Sequence, residues 1–536
     1  MLFLRTGRAR SARIGSRAVS LASNDVEAFA RRDWPLLIAE DGQSLEVQDK
    51  WHPRGPVTVQ AATREHVKYA IAEAVELEEV AMSVAPEIRS RVLAGVAEEL
   101  ENRSEEFAAA LCFETGKTIS EARVEVSRAI SVFKEASEVA LEFGSNIDAK
   151  AEEFLRGDGK VSKLRKFGDL YGMHTRVPKG ACLFITPFNF PLNLVAHKVA
   201  PALACGAPFV LKPAEATPLS ALLLNDVLLS ECKKHEHPVT FSVLPTRRET
   251  AVWLGSSPDV LSHVKLVSFT GGNAGASIRK ASAQLPLARS PDVVLELGGV
   301  GTVVVDSTVP KEQLPAVAKR VVAGAMAQAG QSCISVQRVL VSHRHADELR
   351  RLVTQEAKLY VPSDPYSENT RMGGMISKEA ATRAAAMVEQ AVQQGAKLLC
   401  GGTVLESNEV ALKATVLADV SEESDLFSQE VFAPVCFLNT FHDSQVDFVR
   451  CLRALSLEDS GLQAALFTCD LARVKAAHKL LKFGGVVVND ICSRRVDALP
   501  YGGERASGRG REGVRWAMHE MTTDRVVLIS DNGMLE

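Results

Sequence analysis

Residues 181–216 read ACLFITPFNFPLNLVAHKVAPALACGAPFVLKPAEA. A short apolar run, 181–186, leads into a loop fixed by Pro187 and Pro191. An alanine-rich stretch at 194–205 follows, and then a second apolar run at 208–211. An apolar run, a helical segment and another apolar run make a strand–helix–strand unit. Its two strands lie parallel in one sheet, because the helix carries the chain back to the starting edge.

Reading outward, the same alternation continues. Apolar runs recur at 240–244, 264–270, 293–297 and 302–306, with helical segments at 217–234 and 274–284 between them. A second alternation spans about 311 to 489: a helix at 311–329, a strand at 336–342, a helix at 345–359, and runs at 464–467 and 486–488. This predicts an α/β protein with parallel sheet, helices on both faces, and two such layers joined near residue 297. Upstream, 62–145 has helical spacing of Ala, Glu, Val and Leu with few breakers. The β-like run 525–529 has a possible partner at 170–177, in the same chain or in another subunit.

Composition narrows the function classes. The 536 residues exceed what one simple core holds. The net charge of −4 gives no broad attraction to nucleic acid. No uncharged apolar stretch is long enough to span a bilayer. The ten cysteines include no CxxC pair, so neither a disulfide framework nor a metal site is expected. Residues 1–24 carry Arg5, Arg8, Arg10, Arg13 and Arg17, several serines and no acid before Asp25. Such a start resembles a mitochondrial presequence, with a basic arm on a cytoplasmic protein as the alternative.

Six segments hold chemistry-bearing residues. Cys333, in Gly330-Gln331-Ser332-Cys333-Ile334-Ser335, is a candidate nucleophile; taken alone it reads more readily as a buried core cysteine. Glu296 stands in an apolar run before Gly298 and Gly299. Burial there would raise its pKa toward general-base work, although a structural carboxylate fits the same pattern. Asn189, between two prolines, offers a rigid amide to an oxyanion, or is a turn residue. Lys212 and Glu215 follow a strand, where open α/β sheets bind ligands. Gly271, Gly272 and Gly275 lie at a strand-to-helix turn suited to phosphate. Glu430 and Phe432 sit in a loop that says nothing alone.

The order and spacing of these segments resemble the aldehyde dehydrogenase superfamily from about residue 45 to 530. The resemblance also rests on Pro500-Tyr501-Gly502-Gly503 and on Gly510-Arg511-Glu512-Gly513. It is closest to the lactaldehyde and non-phosphorylating glyceraldehyde-3-phosphate dehydrogenase-like branch, through Pro191-Leu192-Asn193-Leu194-Val195-Ala196-His197-Lys198, Ser332 to Arg338, Val488-Asn489-Asp490 and Arg495-Val496-Asp497. The implied fold is a Rossmann-like cofactor domain (25–164 and 179–296), an α/β catalytic domain (297–516) and a small β oligomerisation element (165–178 and 517–536), after a targeting segment at 1–24.

The resemblance also implies roles. Cys333 is the nucleophile, Glu296 the general base and Asn189 an oxyanion donor beside the Cys333 backbone N–H. Thr186, Pro187, Phe188, Lys212, Glu215, Gly271, Gly272, Leu297, Glu430 and Phe432 contact the cofactor, NAD with NADP as the alternative. His197, Arg494 and Arg495 border the substrate tunnel, where arginine suits a carboxylate or phosphate tail. The implied partner is a small aldehyde, and the implied assembly a homodimer or homotetramer, with no nucleic acid and no membrane. Two other readings share the motifs. A CoA-acylating semialdehyde dehydrogenase is disfavoured by Glu296, a base that branch generally lacks. A non-catalytic relative is disfavoured by retention of Cys333, Glu296 and Asn189 together.

Overall fold

The run 181–186 forms the strand Cys182–Ile185, which lies inside a six-stranded sheet of the computed structural model. The structure describes residues 44–53, 55–145, 165–167, 170–442 and 444–530. The expected targeting segment, 1–24, lies outside the described residues, as do 25–43, 146–164 and 531–536 of the expected domains.

Across this sheet the order is Gly508–Arg509, Asp292–Glu296, Leu266–Thr270, Cys182–Ile185, Phe209–Lys212 and Phe241–Val243. The last five are parallel. Covered on both faces, the strands Cys182–Ile185, Phe209–Lys212 and Leu266–Thr270 are buried throughout, which is why they read as unbroken apolar runs. Phe184, Phe209 and Phe241 stack across three neighbouring strands, with centroids 5.3 and 5.2 Å apart. The helix Asn193–Cys205 is fully buried and stops at Gly206, whose φ of 76° makes a left-handed cap. Five helices fill 62–145: Arg64–Glu76, Glu78–Ser83, Pro86–Asn102, Ser104–Thr115 and Ile119–Ser145. Val92, Phe107 and Phe133 from the last three share one core with Phe184, Phe209 and Val227.

A seven-stranded sheet forms the second layer, in the order Lys397–Cys400, Thr415–Ala418, Val435–Phe441, Val336–Ser342, Gly301–Val305, Gln463–Phe467 and Gly485–Val488. Every neighbouring pair is parallel except the first. A third, three-stranded sheet pairs Leu170–Pro178 with Thr522–Ser530 antiparallel in nine-residue register, with Arg165–Phe167 on its edge. The two runs thus pair within one chain. No described helix is long and apolar enough to cross a membrane.

Three sequence expectations need correction. The helix placed at 311–329 is helical only over Leu314–Met326, after a single 3₁₀ turn at Lys311–Gln313. Gln328 and Ala329 then take φ of 52° and 51°, and Gly330 takes 69°, so the chain turns sharply before Cys333. Residues 517–521 are not strand. They complete the helix Val514–Met521, whose buried Val514, Ala517, Met518 and Met521 make an apolar stripe at helical spacing. The segment expected in the second domain also returns to the first, because Gly508–Arg509 pairs with Glu296 and Leu295. That return carries residues 500–512 over the junction between the two layers.

Candidate active site

Both sheets end at one cavity of about 390 Å³. Cys333 and Glu296 line it, with Phe190, Thr270, Leu297, Gln328, Arg495, Tyr501 and Glu512, and Arg128 from the long helix Ile119–Ser145. Cys333 lies on the short loop between the left-handed turn at Gln328–Gly330 and the strand Val336–Ser342. It is half-buried, and burial pushes its thiol up to about 12, opposed by a hydrogen bond with the Tyr501 hydroxyl at 3.0 Å.

Glu296 ends the strand Asp292–Glu296 with both carboxylate oxygens buried and without a hydrogen-bond partner among the described residues. Burial and then the nearby Glu512 carboxylate push it well above the usual range. Gly502 permits this crowding, since a Cβ there would stand 2.8 Å from Glu296 Oε1. Glu512 is the opposite case. Burial alone would raise it, but Lys198 and Arg495 hold it down at about 2. Lys198 Nζ donates to Glu512 at 3.2 Å and to Ser268 Oγ at 2.9 Å, and Thr270 Oγ1 donates to Glu512 at 3.2 Å. One carboxyl is therefore set to take up a proton and its neighbour to stay ionised.

Asn189 is buried against the loop that carries Cys333. Its Nδ2 donates to the Gln331 carbonyl at 3.1 Å, two residues before Cys333, which leaves the second N–H of the amide for an oxyanion. Its backbone carbonyl is held by the Lys117 ammonium at 2.9 Å and by the Gln328 side-chain amide. Lys117 also donates to Gln328 Oε1 at 3.0 Å and is ion-paired with Glu125. The other Glu125 oxygen accepts from the Leu192 and Asn193 N–H groups at 3.0 and 3.1 Å, where the helix Asn193–Cys205 begins.

The remaining candidates line the ends of the parallel strands. Thr186, Pro187 and Phe188 follow Cys182–Ile185; Lys212, with Glu215 beyond it, ends Phe209–Lys212; Gly271 and Gly272 follow Leu266–Thr270; Leu297 follows Glu296. Burial lowers the Lys212 ammonium to about 8 against the raising influence of Glu215. A Cβ on Gly271 would meet the Phe269 ring at 2.7 Å, whereas Gly272 faces open space. Gly275 packs the following helix onto the sheet, its Cβ position being 2.7 Å from Leu297 Cδ2. Phe432 meets Phe188 edge to face at 5.8 Å and holds a φ of 53°. Burial raises Glu430 to about 7, with the Gly299 N–H as the opposing influence. A small cavity joins Glu430 and Phe432 to Gly330 and Ser332, beside the Cys333 loop.

These residues fit a dinucleotide. Thr186 Oγ1 and Glu430 Oε1 are buried polar atoms without hydrogen-bond partners among the described residues. Together with the buried Lys212 ammonium they supply polar contacts along the strand ends, and the open side of Gly272 admits a phosphate.

Two of the three substrate expectations change. Arg494 is exposed and outside the cavity lining; its carbonyl accepts from the Gln463 side chain at 3.5 Å. His197 is buried behind the wall, with Nε2 3.1 Å from Asp497 Oδ1 and 3.2 Å from Arg495 Nη2. Burial holds it at about 4, so it stays neutral and braces Arg495 without facing the cavity. Arg495 does line the cavity, paired with Asp497 at 3.2 Å and Glu512 at 3.3 Å. Arg128, absent from the sequence-derived set, converges on Asp497 through two bonds of 2.8 and 3.0 Å. Lys117, Lys198, Glu512 and Tyr501 were also missed as site residues. The available signal was charge inside apolar helical stretches, above all Lys198 in the wholly buried helix Asn193–Cys205.

Residues 38–527 match the model of the aldehyde dehydrogenase family. A lactaldehyde dehydrogenase of Methanocaldococcus jannaschii is 33% identical over 88% of this chain and 94% of its own length. The structure of aldehyde dehydrogenase 21 from Physcomitrella patens, in complex with the reaction product succinate, superposes with a TM-score of 0.81 at 35% identity, covering 93% of this chain and 97% of that one. Glyceraldehyde-3-phosphate dehydrogenase from Methanocaldococcus jannaschii, complexed with NADP, gives 0.81 at 30% identity, covering 92% of this chain and all (100%) of that one.

The Lys117 anchor gives a direct test. Lys117→Met leaves Glu125 charged and buried, a loss of about 3–5 kcal/mol. The thermal unfolding midpoint falls by several degrees and kcat falls more than cofactor affinity. An unchanged midpoint with normal kcat would contradict the anchor.

Proposed function

The chain belongs to the aldehyde dehydrogenase family, and from that premise we propose that it oxidises a small anionic or hydroxy aldehyde to its carboxylate through a thioester on Cys333. The observation that carries this reading is the convergence of Cys333 and Glu296 on one cavity that Arg128 and Arg495 also line.

The Cys333 thiolate attacks the aldehyde carbon, and the C=O π pair moves onto oxygen. The second N–H of Asn189 meets that charge. NAD(P), when bound, supplies the hydride acceptor. Loss of hydride from the thiohemiacetal carbon leaves the thioester. Glu296 takes a proton from the water that attacks the thioester carbon, and the C–S bond breaks with its electron pair on sulfur. Thr186, Pro187, Phe188, Lys212, Glu215, Gly271, Gly272, Leu297, Glu430 and Phe432 are the residues that hold the dinucleotide. NAD is the favoured form, because the Glu215 carboxylate beside Lys212 repels a 2′-phosphate.

Arginine on a cavity wall supports an anionic tail, since its planar fork matches carboxylate and phosphate. The relatives bind or act on lactaldehyde, succinate and glyceraldehyde 3-phosphate, which are small and hydroxylated or anionic. Val526, Val527 and Leu528, exposed on the strand Thr522–Ser530, support a homodimer or homotetramer. The Arg- and Ser-rich residues 1–24 support a mitochondrial location.

Two experiments test this. Glu296→Gln gives a burst of NADH followed by a steady state slowed about 100-fold or more; equal loss of burst and steady-state rates contradicts the assigned base. Arg495→Met and Arg128→Met each lower kcat/KM about tenfold on succinic semialdehyde and glyceraldehyde 3-phosphate, and by less on hexanal. Equal losses on all three aldehydes, or a wild-type preference for NADP over NAD, would contradict the specificity proposed here.

A further inference from the structure

The Tyr501 hydroxyl lies 3.0 Å from Cys333 Sγ, and it is the hydrogen-bond partner of that sulfur among the described residues. No described histidine or lysine hydrogen-bonds the thiol. The charges that act on the sulfur are the Glu430 and Glu296 carboxylates, which oppose a thiolate, and the Arg495 guanidinium, which favours one. A nucleophile set between two acids needs a donor of its own.

Tyr501 is built to be that donor. Its backbone forms an antiparallel bridge with Glu512, with N–H to carbonyl bonds of 3.0 and 2.6 Å. The Arg495 guanidinium lies 4.0 Å from the centre of its ring, and Ile334 and Leu462 pack beside it. The ring therefore has little freedom. The direction of the hydrogen bond follows from counting donors. If the thiol donated to the phenol, the phenolic hydrogen would be buried with no described acceptor, and Arg495 offers none. When the sulfur is ionised, only the phenol has a hydrogen to give. Burial first, then the Cys333 sulfur and the Glu296 carboxylate, opposed by Arg495, keep the phenol protonated throughout the working range.

We propose that Tyr501 is a catalytic residue whose phenol donates its hydrogen to the Cys333 sulfur, stabilising the thiolate before attack and again as it leaves the thioester. The proposal rests on Cys333 being the nucleophile. In the first step the sulfur pair forms the C–S bond, and the hydrogen bond weakens as charge moves to the aldehyde oxygen. In the last step the C–S bond breaks, its pair returns to sulfur, and the phenol meets it. Tyr501 keeps its own proton in both steps. The reaction thus gains a donor that acts on the entering and leaving group alike.

The test is the pH dependence of thiol alkylation by iodoacetamide in the cofactor-free enzyme. A C–S bond forms, iodide leaves, and the thiol proton goes to buffer. Cys333→Ala, run alongside, removes the contribution of the other nine of the ten cysteines. Tyr501→Phe keeps the ring under Arg495 and removes only the hydroxyl. The alkylation midpoint then rises by about one pH unit, so the rate near neutral pH falls about tenfold. kcat/KM at neutral pH falls in parallel and recovers on the alkaline side, with NAD affinity unchanged. Site-specific 3-fluorotyrosine at 501, a stronger donor of the same shape, moves the midpoint down and provides a readout independent of how Tyr501→Phe folds. Coincident profiles for wild type and either variant would overturn the role of Tyr501 while leaving the nucleophile in place. Normal aldehyde turnover by Cys333→Ala would instead overturn the nucleophile, and this proposal with it.

Discussion

The ammonium of Lys117 holds the site in register. It is buried, ion-paired with Glu125, and donates to the Asn189 carbonyl and the Gln328 side chain. Those three partners come from the long helix Ile119–Ser145, from the loop after the strand Cys182–Ile185, and from the left-handed turn before Cys333. A charge removed from water is tolerated only where its partners are fixed, so the contact favours one mutual arrangement of the three segments. The turn it secures is costly in its own right, with two non-glycine residues in a row in the left-handed region. At Gly330 no other residue fits, because a Cβ would run into the Ala433 carbonyl.

From that anchor the chemistry follows as a matter of environment. Two glutamates, Glu296 and Glu512, share one cavity wall and are driven in opposite directions. Glu512 has Lys198, Thr270 and Arg495 as partners, whereas Glu296 has none among the described residues. The same network reaches the substrate end. Arg495 spans Glu512 and Asp497, and Arg128 shares Asp497. Glu296, the proposed base, and Arg495 and Arg128, the proposed contacts of the aldehyde's tail, are therefore electrostatically linked.

Much of the fold was legible because a doubly covered parallel strand must be apolar on both faces. That constraint exposed 181–186, 208–211 and 264–270, and the strands lie within a residue or two of those bounds. The strands Lys397–Cys400 and Thr415–Ala418 escaped notice because charged and glycine residues, Lys397, Gly401, Gly402, Lys413 and Asp419, interrupt or closely flank their apolar runs. Cys333, Glu296 and Asn189 were legible as site candidates from motif order, but the residues that support them were not. Lys117 reaches the Asn189 carbonyl across 72 residues of chain and Lys198 reaches Glu512 across 314, separations beyond any local pattern. Arg494 and Arg495 look alike in sequence; only the fold turns one outward and seats the other against Tyr501.

The proposed mechanism places a covalent acyl group at Cys333 and nowhere else among the ten cysteines. The most direct measurement is acid quenching of the enzyme during turnover with NAD and succinic semialdehyde, followed by peptide mass analysis. The account predicts a succinyl mass increment on the peptide containing Cys333, absent when NAD is omitted. An increment on another cysteine, or none during active turnover, would contradict it.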